Sequence, residues 1–156
     1  METKEICYRG VIIFSIPKHW VEEYEPEGGG MFYEDGPNTG TLRLNVTTAT
    51  SPTEITADSA VRVLVATKVA KTRSDVELLS DGNALAKSLI RTQEQNQELS
   101  MYCWHIANPV PPEFLRIANF TYTVLAQHES KTRTLAEVEL LDRLIRKSRF
   151  HNSIGR

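Results

Sequence analysis

Thr41-Leu42-Arg43-Leu44-Asn45-Val46-Thr47-Thr48 is the stretch on which the reading of the fold turns. Leu42, Leu44 and Val46 fall on one face, while Arg43, Asn45 and Thr47 fall on the other. That two-residue period is the signature of a strand with one face buried, as in an antiparallel sheet. Beyond it the period changes. Ala60, Val61, Leu64, Val65 and Lys68 recur at helical spacing, and the helix should end near Lys71, with Lys68 and Lys71 in the last turn where the macrodipole favours them. Two starts compete. Ser51-Pro52-Thr53-Glu54 has the pattern of a capping box with proline at the first helical position, and Thr56 is the rival.

Working outward, a strand over 11–16 ends at Pro17, which cannot donate to a ladder. A second runs over 20–25, Pro26-Glu27-Gly28-Gly29-Gly30 breaks the chain, and a third starts at Met31. Strands over 76–79 and 84–92 meet across Ser80-Asp81-Gly82-Asn83, a tight-turn signal. The polar stretch 93–97 reads as a connection. A strand over 99–107 carries bulky residues on both faces and is expected to be covered on both sides. The stretch 114–126 alternates, with Phe120, Tyr122 and Val124 opposite Asn119, Thr121 and Thr123. A closing helix over 132–147 has Leu135, Val138, Leu141, Leu144 and Ile145 as its apolar stripe. No βαβ alternation appears. The expectation is one α+β domain over 1–156, an antiparallel sheet flanked by helices, with a frayed tail at 151–156.

The 156 residues are 40% hydrophobic and 24% charged, the profile of one soluble globular domain. A net charge of −2 argues against a general nucleic-acid binder. The longest apolar runs are about four residues, so nothing spans a membrane. The start, Met-Glu-Thr-Lys-Glu, is not that of a secretory signal, and the expected location is cytoplasmic. Cys7 and Cys103 then read as reduced, buried or half-buried thiols. The histidines at 19, 105, 128 and 151 have no ligand spacing, so no metal site is expected. His105, on an apolar strand, reads as a satisfied core imidazole. No nucleotide or hydrolase fingerprint occurs, and Gly28-Gly29-Gly30 lacks the following helix that a phosphate loop needs. No cofactor and no catalytic residue are singled out.

Charge is unevenly spread. Residues 1–60 hold ten acids against four bases, and residues 61–156 hold ten against fourteen. The most distinctive constellation is acidic. Glu22, Glu23, Glu25, Glu27, Glu34 and Asp35 fall within fourteen residues, and no Lys or Arg occurs between Val21 and Leu42. Trp20, Tyr24, Phe32 and Tyr33 are interleaved. With Trp20, Tyr24 and Tyr33 as anchors and the six carboxylates steering the encounter, the segment can form a docking edge for a basic protein partner. A weak divalent-cation site and a merely solvated hairpin are the competing readings. At the level of function the leading expectation is a non-enzymatic protein-binding or accessory domain. Its alternatives are a small hydrolase or isomerase whose carboxylates converge in a sheet-edge pocket, and a structural subunit of a homodimer.

Phe14-Ser15-Ile16-Pro17-Lys18-His19-Trp20 resembles the F-x-I-P-x-x-W opening of Mog1/PsbP-like domains, in which a strand ends at proline and a tryptophan begins the next. The Gly-Thr-Leu-Arg-Leu strand, the helix after it, the Trp104 and Phe120–Val124 strands and the closing amphipathic helix follow in the order of such domains. The resemblance, to bacterial members of that superfamily, implies an α+β sandwich and a non-enzymatic role. In that superfamily one branch binds a small GTPase and another is an extrinsic photosystem protein. It carries no binding residue onto a position of this chain.

Overall fold

The structure, a computed structural model, describes residues 1–152. Ten strands and two α-helices follow in the order β1 (Thr3–Tyr8), β2 (Ile12–Pro17), β3 (Val21–Tyr24), β4 (Gly30–Tyr33), β5 (Thr41–Thr50), α1 (Ala57–Ala66), β6 (Val76–Leu78), β7 (Ala84–Glu94), β8 (Gln97–Val110), β9 (Phe114–Leu125), α2 (Thr132–Arg146) and β10 (Arg149–Phe150). One sheet has the order β1-β2-β10 and the other β3-β4-β5-β9-β8-β7-β6. The α+β class is therefore as expected, and β8 and β9 are neighbours as the alternating stretches required. The chain divides into two compact units: one formed by Met1–Arg43, Arg91–Met101 and the chain from Tyr122 onward, the other by Leu44–Ile90 and Tyr102–Thr121.

The first unit is built on β2. β1 pairs with it antiparallel from Thr3 opposite Pro17 to Tyr8 opposite Ile12, and Arg149 and Phe150 add β10 on its other side. The turn between β1 and β2 uses Arg9 and Gly10, both at positive φ (52° and 68°). Neither β1 nor β10 was legible in the sequence: β1 alternates in burial around charged residues, and β10 is two residues long. The tail expected at 151–156 thus begins one residue after a strand, and its part beyond residue 152 lies outside the described residues. α2 packs on β2 through Leu141 and Ile145, each 1% exposed. Of the expected stripe only Leu135 departs: it is 55% exposed, Val138 and Leu144 are half-buried, and Thr134 is buried beside it in the first turn.

In the second unit, Ala60, Val61 and Leu64 of α1 pack with Ala70, Ala84, Ala86 and Ala107. α1 starts at Thr56, whose N–H donates to Ser59 Oγ at 2.9 Å, and not at Ser51. Ser51 is held elsewhere: its N–H donates to the Glu113 carbonyl at 2.7 Å and its hydroxyl accepts from the Thr53 N–H. The helix stops at Ala66 because Lys68 turns left-handed (φ 66°), letting the Ala70 N–H reach the Leu64 carbonyl at 3.0 Å. Lys68 and Lys71 therefore lie beyond the helix and not in its last turn. In the first unit, the connection expected over 93–97 shrinks to Gln95 and Asn96. β7 continues to Glu94 and β8 starts at Gln97, because Gln95 and Asn96 both take positive φ (51° and 65°). Two such residues match the twist of a two-residue hairpin.

β9 alternates as expected, with Phe120, Tyr122 and Val124 buried and Asn119, Thr121 and Thr123 half-buried. β8 buries Cys103 and Trp104 on its two faces. Burial pushes the Cys103 thiol up, whereas Cys7 is exposed, contrary to the expectation for it. His105 is satisfied as expected: its Nδ1 lies 2.6 Å from Asn119 Oδ1, and Asn119 Nδ2 donates to Asn45. Buried Arg116 donates to Asn108 Oδ1 at 2.9 Å, and Asn108 donates to Asn83, an arginine the alternation gave no reason to expect inside.

Candidate functional site

β3 and β4 form the acidic hairpin, with Val21 opposite Tyr33 and Tyr24 opposite Gly30. The alternation of a strand sends Phe32 inward, where it is fully buried and meets Phe14 edge-on at 5.4 Å. Glu22, Glu23 and Tyr24 are exposed. The tip closes through the Glu25 N–H to the Gly29 carbonyl at 3.0 Å, with Gly28 and Gly29 at φ 103° and 114°. Those backbone angles explain the glycines. The Gly29 N–H donates to the Tyr8 hydroxyl at 2.7 Å, tying the tip to β1.

The six carboxylates are not equivalent. Glu22 pairs with Lys4 Nζ at 2.8 Å and accepts from the Tyr24 hydroxyl at 2.8 Å. The Lys4 hydrogen bond, with that of Tyr24, holds the Glu22 carboxyl below the usual carboxylate range. Partial burial of Tyr24, and then the hydrogen bond to Glu22, push its phenol up to about 12. Glu34 is half-buried between His19 Nε2, at 3.0 Å, and the Arg133 guanidinium. Glu23 accepts the Tyr33 hydroxyl at 2.7 Å and, like Glu25, Glu27 and Asp35, is exposed with no ion pair among the described residues.

Beside the hairpin lies a cavity of about 300 Å³, walled by Met1, Pro17, Trp20, Ala136 and Leu140 and rimmed by His19, Glu34, Arg133 and Glu137. Arg133 Nε bonds Glu137 at 2.8 Å while its other end holds Glu34, and Glu137 also accepts the Tyr122 hydroxyl. Trp20, expected as an anchor for a partner, is 4% exposed and stacks on the Tyr122 ring at 6.2 Å. It is part of the core. Sequence reasoning missed Arg133, Glu137 and Tyr122. Arg133 and Glu137 stand at i,i+4 on one helix face, but nothing in the chain signals that Glu34 completes the set.

An acid–base pair for catalysis needs a carboxylate or imidazole free to exchange a proton with a substrate. Here Glu34 and Glu137 are each occupied by Arg133 and by a second partner. Among the described residues no group of His, Cys, Asp and Glu is arranged to hold a metal ion, and no helix is long and apolar enough to cross a membrane.

No family model and no curated protein matches the sequence. Solved structures do. LpqN of Mycobacterium tuberculosis, involved in cell envelope biogenesis, superposes with a TM-score of 0.65 at 8% identity over 96% of this chain and 91% of its own. A protein of Bacteroides thetaiotaomicron VPI-5482 superposes at 0.61 with 17% identity over 96% of this chain, which spans about half (49%) of that protein's length. The cyanobacterial PsbP (CyanoP) of Synechocystis sp. PCC 6803 matches with a TM-score of 0.37 and 12% identity over 96% of this chain and 91% of its own. At such identities likeness shows the fold alone. The fold shared with LpqN is of the α+β class, as expected.

Proposed function

We propose that this chain is a non-enzymatic accessory domain whose 20–35 hairpin docks a basic protein partner. The observation that carries the reading is the sorting of the carboxylates. Glu22 and Glu34 are neutralised within the fold, while Glu23, Glu25, Glu27 and Asp35 stand exposed with no ion pair among the described residues. Tyr24, 53% exposed, and half-buried Tyr33 supply aromatic surface among them. Exposed like charges on one hairpin raise the rate of encounter with a positive surface and repel an acidic one. The occupied carboxylates of the His19 cavity favour this reading over a hydrolase or isomerase.

The test is a comparative capture from a bacterial lysate, with the wild-type domain and the combined Glu23→Gln, Glu25→Gln, Glu27→Gln variant as baits. A basic protein held by the first and lost by the second is the expected result. An identical set of captured proteins would overturn the proposal.

A further inference from the structure

In the second unit, a cavity of about 330 Å³ lies against α1, within the size range of small-molecule sites. Ser59, Arg62, Val63 and Ala66 stand at i, i+3, i+4 and i+7 and line it from one side of the helix. Buried Ile55 and Leu115 add apolar surface. Two of these side chains keep unused donors. The buried Ser59 hydroxyl accepts the Thr56 N–H, and its own proton reaches no acceptor among the described residues. Arg62 holds Asp58 through Nε at 3.1 Å, and its two Nη groups have no partner among the described residues. The Arg73 guanidinium takes the other oxygen of Asp58. One carboxylate thus answers two guanidiniums. Among the described residues, Arg62 is the one charged side chain that lines the cavity.

A buried donor without an acceptor is rare in a native fold and calls for a partner. Here the partner must accept from a hydroxyl and a guanidinium, under a local excess of positive charge, with hydrocarbon surface beside it. We propose that the cavity binds a small carboxylic acid with an apolar body. Its carboxylate accepts from the Ser59 hydroxyl and an Arg62 Nη, and its hydrocarbon part covers Ile55, Val63, Ala66 and Leu115. An amine would add to the positive excess, and a neutral ligand would leave it in place. At roughly 30 Å³ for each water-sized volume, the cavity takes about ten non-hydrogen atoms, as many as octanoate has. No residue of the acidic hairpin lines it, so the inference stands apart from the docking proposal.

Calorimetric titration of the full chain tests this, with octanoate, 1-octanol, acetate and inorganic phosphate as probes. Octanoate should bind the wild type. Arg62→Met, which keeps an apolar stem, should weaken that binding about tenfold or more, and Arg62→Lys, which keeps the charge, should lose less. 1-Octanol should bind the wild type about tenfold more weakly than octanoate and be indifferent to Arg62→Met. Acetate and phosphate, which lack the apolar body, should bind too weakly to detect. The probes compared on the wild-type chain decide the matter even where a variant folds poorly. A wild type that ignores octanoate, an Arg62→Met variant that binds it undiminished, or 1-octanol or phosphate bound as tightly as octanoate would each overturn the proposal.

Discussion

Trp20 stacks on Tyr122 with ring centroids 6.2 Å apart and planes 14° from parallel. The tryptophan that closes the F-x-I-P-x-x-W motif is therefore a core residue. It also locks the surroundings of Tyr122, whose hydroxyl donates to Glu137. Replacing Trp20 by alanine should cost about 3–5 kcal/mol of stability, the range for removing a buried large aromatic. Urea unfolding measures it. A loss under 1 kcal/mol would show that the stack is not load for the core.

Gly40 lies against the same ring, and a β-carbon built there collides with Tyr122. Gly40→Ala should therefore destabilise by about 1–3 kcal/mol through overpacking, although alanine is otherwise the easier residue to order. Equal or raised stability in thermal unfolding would contradict the packing described.

Leu135 and Leu141 sit on one helix at 55% and 1% exposure. Leu141→Ala should lose about 2–5 kcal/mol and Leu135→Ala about 0.5 kcal/mol or less. Comparing the two by denaturant midpoint tests the placement of Leu135 outside the buried face of α2, where the sequence pattern had put it with Val138, Leu141, Leu144 and Ile145.

Much of the fold was legible because it rests on period. The alternation of β5 and β9 and the heptad-like spacing of α2 are set by burial, which selects residue type directly. What was not legible rests on backbone angles or on distant partners. Lys68 ends α1 by turning left-handed, and Gln95 takes positive φ beside Asn96 to close a hairpin without glycine; neither Lys nor Gln announces that choice. In the site, the acidic run was visible, but its division was not. Glu22 finds Lys4 and Glu34 finds Arg133 only through the tertiary fold, so composition could not separate structural carboxylates from surface ones.

Two pH effects follow from the hairpin. Tyr24 is pushed up to about 12 from 10.0, so the folded state keeps a proton that the unfolded chain loses. Its contribution to stability is present below pH 10 and fades as pH rises toward 12. Tyrosinate absorbance should show Tyr24 titrating late, and Glu22→Gln should bring it earlier. At the acid end Glu22 is held below 4.5, so the stability from its Lys4 pair is complete above that pH and is lost as pH falls through the lower folded value. Chemical denaturation across the acid range should show this decline reduced in Lys4→Met.

The claim that the exposed carboxylates serve to dock a partner meets its most direct test in an association rate. With the basic protein obtained by capture, stopped-flow mixing at low and high salt should show binding slowed by salt, since exposed charges are screened beyond about 8 Å at physiological ionic strength. The combined Glu23→Gln, Glu25→Gln, Glu27→Gln variant should bind slowly at low salt and lose most of that salt dependence, with its unfolding midpoint unchanged. An association rate indifferent both to salt and to the three substitutions would contradict the account.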